Sequence, residues 1–170
     1  AGYKTKREWQ GKNIAEIAEL AKLDPVDVVL EIERNGGAQM VAFGMSEDDL
    51  RIYLKRPWVA TASDGSPKVA DDTVPHPRSY GTFPRKIGLY CIKEQLITME
   101  QAVRSCTGLP ADILALPERG YLRVGHFADV VVFDLDKLKD NATFENPHQY
   151  AEGVAAVLVN AKGSSTAVRS

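Results

Sequence analysis

Apolar residues recur along the first third of the chain with the period of a helix, and each run opens on a residue suited to capping. In "NIAEIAELAKL", Ile14, Ile17, Ala18 and Ala21 fall on one face, and Asn13 with Glu16 has the spacing of a capping box. Asp24 followed by Pro25 opens a second helix, "VDVVLEIERN", which Gly36 and Gly37 close. Its apolar positions Val26, Val28, Val29, Leu30 and Ile32 cover more than one face, which predicts a well-buried helix. A strand is expected over Ala38 to Phe43. Ser46 with Asp49 starts a short helix in "EDDLRIYLKR", and Pro57 stops it before a second expected strand, Trp58 to Ala62. Helix, strand, helix, strand with short links predicts parallel βα units.

From Ser66 to Pro84 the chain runs 19 residues with four prolines, long enough to read as a functional loop. Helices follow over roughly Pro84 to Gln95 and over Met99 to Cys106, the second opened by Thr98 with Gln101 as a capping box. "TGLPADILAL" gives a glycine-proline break and one or two further turns. The last fifty or so residues change character: "GYLRVGHFADVVVFDLDKL" and "GVAAVLVNAKG" are apolar strand-like runs bounded by glycines. They predict a small β unit appended to the α/β part, with a boundary near Leu116 to Gly120.

Composition narrows the function classes. With 44% hydrophobic and 26% charged residues, the 170-residue chain falls in the soluble globular class, suited to one domain or a piece of a larger one. Its 21 basic and 23 acidic side chains leave a net charge of −2, which favours neither nucleic acid nor an anionic membrane as partner. No apolar run reaches the ~18 residues of a membrane span, and the start has no signal-peptide core. Met is absent from position one, which leaves room for a processed or truncated product. Cys91 and Cys106 lack motif spacing, which fits inert thiols in a reduced, cytoplasmic chain.

The candidate chemistry gathers after the second expected strand. "PWVATASDGSPK" delivers Asp64 to the carboxyl end of Trp58–Ala62, where parallel α/β architectures place catalytic groups, although Asp-Gly also simply opens turns. "HPRSYGTFPR" then offers His76, Arg78, Tyr80 and Arg85. Imidazole, guanidinium and phenol beside a strand-end carboxylate suit a carboxylated substrate, because Arg forks onto a carboxylate. His76, His126 and His148 form no HxH or HExxH pattern, so the chain does not visibly supply the three convergent ligands of a catalytic zinc. No phosphate loop or G-x-S-x-G elbow is present.

"VATASDG", "HPRSYGTFPR", "TMEQAVRSCTGLPADILAL", "RGYLRVGHFADVVVFD" and "NPHQYAEGVAAVLVN" resemble, in order and spacing, the C-terminal part of the D-aminoacylases. These are N-acyl-D-amino-acid deacylases of the amidohydrolase superfamily. The resemblance runs from about Gly11 to Asn160 and implies the C-terminal portion of a (β/α)8 barrel over residues 1–118, followed by strands of a small β-sandwich over 119–170. It implies that Asp64 ends the eighth barrel strand and handles the proton of a metal-bound water, with His76, Arg78 and Tyr80 at the substrate. It further implies Zn²⁺ in the intact enzyme, with every metal ligand upstream of residue 1 and none in this chain. On this reading the chain is a fragment, inactive without the missing N-terminal part, whose enzyme acts on a small N-acyl-D-amino acid. The alternatives are a non-catalytic α/β binding or interaction module, another amidohydrolase such as a dihydroorotase-like enzyme, and a receiver domain with Asp64 as phosphoacceptor. The last would want an acidic pair on an earlier strand, which "AGYKTKREWQ" does not offer.

Overall fold

The computed structural model describes residues 3 and 5–163. A single 3-10 turn, Arg7–Trp9, precedes α1 (Ile14–Ala21) and α2 (Pro25–Arg34). The start codes act as expected. Glu16 N–H donates to Asn13 Oδ1 at 3.0 Å while Asn13 N–H donates to Glu16 Oε2 at 2.8 Å, so two otherwise orphaned amides are satisfied reciprocally. Asp24 Oδ1 accepts from Val26 N–H at 2.8 Å, with Pro25 at the first helical position. The two helices close on a cluster of Tyr3, Trp9, Ile17, Ala18 and Val28, with Ile14, Ala21, Ile32 and Ala38 at its margin. The expectation that α2 is buried on several sides is corrected: only Val28 is fully covered, and Val26, Val29 and Leu30 are exposed. No second layer packs on its outer face among the described residues.

α3 (Glu47–Leu54) starts at Ser46, whose hydroxyl accepts from Asp48 N–H and Asp49 N–H. The expected strands on either side of α3 are not formed. Residues 38–43 and 58–62 carry no ladder among the described residues, and Phe43 is 78% and Trp58 68% exposed. A strand is stable only with a neighbour to hydrogen-bond, and these apolar runs have none among the described residues; Trp58 instead lies in a turn closed by Val59 N–H on the Arg56 carbonyl at 3.2 Å. The parallel βα units expected from the pattern are therefore not seen among the described residues.

α4 (Arg78–Arg85) continues into a π-helical segment, Lys86–Lys93. The expected loop thus ends at Pro77, and Arg78 and Tyr80 stand on a helix, which corrects their loop assignment. Pro84 inside this helix has no N–H to give the Tyr80 carbonyl, and the ladder widens to π geometry two residues later. α5 (Met99–Cys106) is capped by Thr98, whose hydroxyl accepts from Gln101 N–H at 3.2 Å, and α6 (Gly108–Ile113) follows at once. Cys91, Ile97 and Ala102 form a second core under Leu54, Ile87, Leu96 and Met99. Burial pushes the Cys91 thiol up, in keeping with an inert cysteine.

Lys86 is buried beneath this layer. Its ammonium donates to Thr61 Oγ1 and, at 2.6 Å, to Ser105 Oγ, and burial lowers its pKa. With Thr61 N–H donating to the Ser105 carbonyl at 2.8 Å, residues 59–62 are fastened to α5 by side chain and backbone in place of a sheet neighbour.

The expected β unit is present as an antiparallel sheet, β1 (Val130–Phe133), β2 (Val154–Val159) and β3 (Lys162–Gly163), in that order. Val130 pairs with Leu158 and Val132 with Ala156, and the register shifts between Val132 and Phe133. Residues 164–170, which the β unit was expected to include, lie outside the described residues. Among the described residues no helix is long and apolar enough to cross a membrane.

Candidate active site

Asp64 sits just before the 66–77 loop, and its φ of +48° is left-handed, a conformation Asp tolerates better than most residues. Gly65 N–H donates to Ser63 Oγ at 3.2 Å to close the turn. The turn brings Gly65 onto the first turn of α4, where an added Cβ would lie 3.1 to 3.2 Å from Ser79 Cα, Ser79 N and the Arg78 carbonyl. Glycine is needed here for closeness, and that closeness lets Arg78 reach back: its Nη1 stands 2.9 Å from Asp64 Oδ2. The carboxylate is still 83% exposed, so it has one cationic neighbour and an open side. The buried parallel strand expected before Asp64 is not formed, but Asp64 does face the segment that holds His76 and Arg78.

His76 Nδ1 accepts the Arg78 backbone N–H at 3.0 Å and so caps α4. An accepting Nδ1 carries no proton in the neutral ring, which puts the hydrogen on Nε2. Burial and then the nearby Arg78 guanidinium lower the His76 pKa, with Asp64 opposing them more weakly, so the ring is neutral at neutral pH. Its edge meets Phe144 with ring centroids 5.0 Å apart, and Phe144 in turn meets Phe43 at 4.7 Å.

Tyr80 makes its contacts with a different segment. Its hydroxyl lies 2.7 Å from His148 Nδ1, and its ring makes edge contacts with His148 and Tyr150. His148 is the residue that sequence reasoning left aside, as one of three scattered histidines 68 positions from Tyr80. No local signal joins "HPRSY" to "NPHQY"; only the fold does. His126 stays apart, in a turn closed by its own N–H to the Arg123 carbonyl. Arg85, also in the expected cluster, turns to Asp140 at 3.9 Å.

The arrangement thus sets a carboxylate, a guanidinium and an imidazole side by side on one open edge, groups whose chemistry includes proton transfer and anion binding. The chain belongs to the Amidohydrolase family, whose model matches residues 8–162. It is 40% identical over 144 residues to an N-acyl-D-glutamate deacylase of Alcaligenes xylosoxydans xylosoxydans, a match covering 85% of this chain and 29% of that protein. Among solved structures it superposes on the N-acyl-D-glutamate deacylase of Bordetella bronchiseptica, complexed with zinc and a phosphonate inhibitor, with a TM-score of 0.81 and 38% identity. That match covers 89% of this chain and 31% of that one. A D-aminoacylase described as having a binuclear metal centre gives a TM-score of 0.84 at 39% identity, over 94% of this chain and 32% of its own. The chain therefore spans about a third of the length of the proteins it matches.

Zinc fits the described residues poorly. No group of three or more His, Cys, Asp or Glu side chains among them is arranged to hold a metal ion. Asp64 stands beside a cation rather than beside other donors.

Proposed function

We propose that this chain is the C-terminal part of an N-acyl-D-amino-acid deacylase, which hydrolyses the amide to a D-amino acid and a carboxylate. Residues 1–118 would close a (β/α)8 barrel and residues 119–170 would contribute strands to a small β-sandwich. The observation that carries this reading is the Asp64–Arg78 pair, held at 2.9 Å on an open edge, in a chain whose family is established. Asp64 is the general base: it takes a proton from the attacking water, and after the carbonyl carbon has gained oxygen it returns that proton to the departing nitrogen as the C–N bond breaks. Arg78 receives the carboxylate of the substrate, and neutral His76 offers its Nε2–H to the same end. Tyr80 completes this wall with its ring.

The named relative binds zinc, and this enzyme is proposed to need it too, held by residues outside the present chain. The chain by itself is expected to be inactive. The test assays the full enzyme that carries this chain on N-acetyl-D- and N-acetyl-L-amino acids, before and after chelation and with zinc restored. Turnover of the D form alone, lost with chelator and regained with zinc, is the expected result. Equal turnover of both forms, or of neither, overturns the reading, and turnover by the isolated chain overturns the division of labour.

A further inference from the structure

One histidine outside the proposed chemistry ties three separate segments together beside it. His148 Nε2 lies 2.8 Å from the Thr73 carbonyl, which can only accept, so Nε2 carries the hydrogen. Nδ1 is then bare in the neutral ring and accepts the Tyr80 hydroxyl at 2.7 Å. One ring thus holds the 66–77 loop with one nitrogen and α4 with the other. The arrangement is reinforced from the loop side, where Asp71 Oδ1 stands 3.7 Å from Nε2 and is itself fixed by Thr73 N–H at 2.9 Å and the Thr73 hydroxyl at 2.6 Å. Four residues before His148, Phe144 packs on His76, so the 144–150 segment braces both sides of the first turn of α4.

We infer that His148 is a positioning residue: by accepting from Tyr80 while holding the Thr73 carbonyl, it sets the first turn of α4, and with it Arg78 and His76, against Asp64. The inference rests on the activity proposed above and gives Tyr80 a structural task in addition to its place at the substrate. A segment just ahead of β2 in the chain thereby becomes part of the active-site framework.

The test uses the full enzyme. Tyr80→Phe removes the donor. His148→Gln keeps a donor near the Nε2 position for Thr73 and takes the acceptor away from Tyr80. Both delete the same hydrogen bond, so each is expected to raise KM for an N-acetyl-D-amino acid by about fivefold with kcat nearly unchanged, and the double variant should be no worse than either single. Effects that multiply in the double variant, or a lowered Tm with KM unmoved, would overturn the inference. A second readout does not depend on turnover: ¹⁵N NMR of the side chains should show His148 protonated on Nε2 alone, and Tyr80→Phe should displace the His76 ring and Arg78 guanidinium signals. Signals that stay put overturn the positioning role whatever the enzyme hydrolyses, while an inactive wild type with displaced signals would overturn only the activity.

Discussion

The two ends of the first turn of α4 are built differently. At one end Arg78 meets Asp64 in an ion pair whose carboxylate is largely in water. At the other, Tyr80 meets His148 in a part-buried hydrogen bond that is continued to Thr73 and edged by Tyr150. Exposed ion pairs contribute little to stability, because water already solvates both charges, with a typical worth of about 0 to 1 kcal/mol. Part-buried hydrogen bonds cost more to break because the orphaned group finds no water. The contrast separates shape from candidate chemistry: on the proposed function, the groups that would exchange partners with a substrate are those whose loss the fold would barely notice.

That contrast can be broken most sharply at Asp64. Asp64→Asn keeps the shape and removes the base, so kcat of the full enzyme should fall by at least about 10²-fold with Tm and metal content little changed. Comparable loss of Tm would make Asp64 a structural residue and erase the distinction. Arg78→Ala should raise KM for an N-acetyl-D-amino acid by roughly ten- to a hundredfold, the equivalent of a charge-assisted bond worth about 1.5–3 kcal/mol. An unchanged KM would return α4's first turn to scaffolding.

On the scaffolding side, Gly81 is packed so closely on the buried Asp140 carboxylate that an added methyl would overlap it. Gly81→Ala should therefore lower stability by about 1–3 kcal/mol in denaturant titrations while kcat of the folded fraction is retained. A stable variant with lost activity would reverse the two roles. The smallest effect expected is in acid. Because the folded His76 pKa lies below its unfolded value, the unfolded chain takes up the proton first as pH falls. Stability should thus drop as pH passes below about 6.5, and the penalty is absent at higher pH where both states are neutral. His76→Asn should flatten that part of the stability profile, and an unaltered profile would show that another group titrates there.

Much of the helical framework was legible from local chemistry. Asn13 with Glu16, Asp24 with Pro25, Ser46 and Thr98 each name a helix start, and each cap bond forms, because both partners lie within three residues. The β unit was legible for a related reason: its two apolar runs supply each other's partner within the chain. Pro84 misled the reading of α4, since proline usually opens or ends a helix, and here the structure accepts the missing hydrogen bond and passes into π geometry.

The sequence by itself therefore determined the capped helices, the presence of a C-terminal β unit, the family and the candidacy of Asp64, His76 and Arg78, all carried by residues close together in the chain or by motif order. Only the tertiary structure decided that residues 38–43 and 58–62 form no ladder, that Arg78 reaches Asp64, and that His148 serves Tyr80. Strand pairing and a hydrogen bond across 68 residues depend on which distant segments meet. Local propensity has no term for that meeting, because its free energy comes from burial and partner exchange that exist only once the chain has folded.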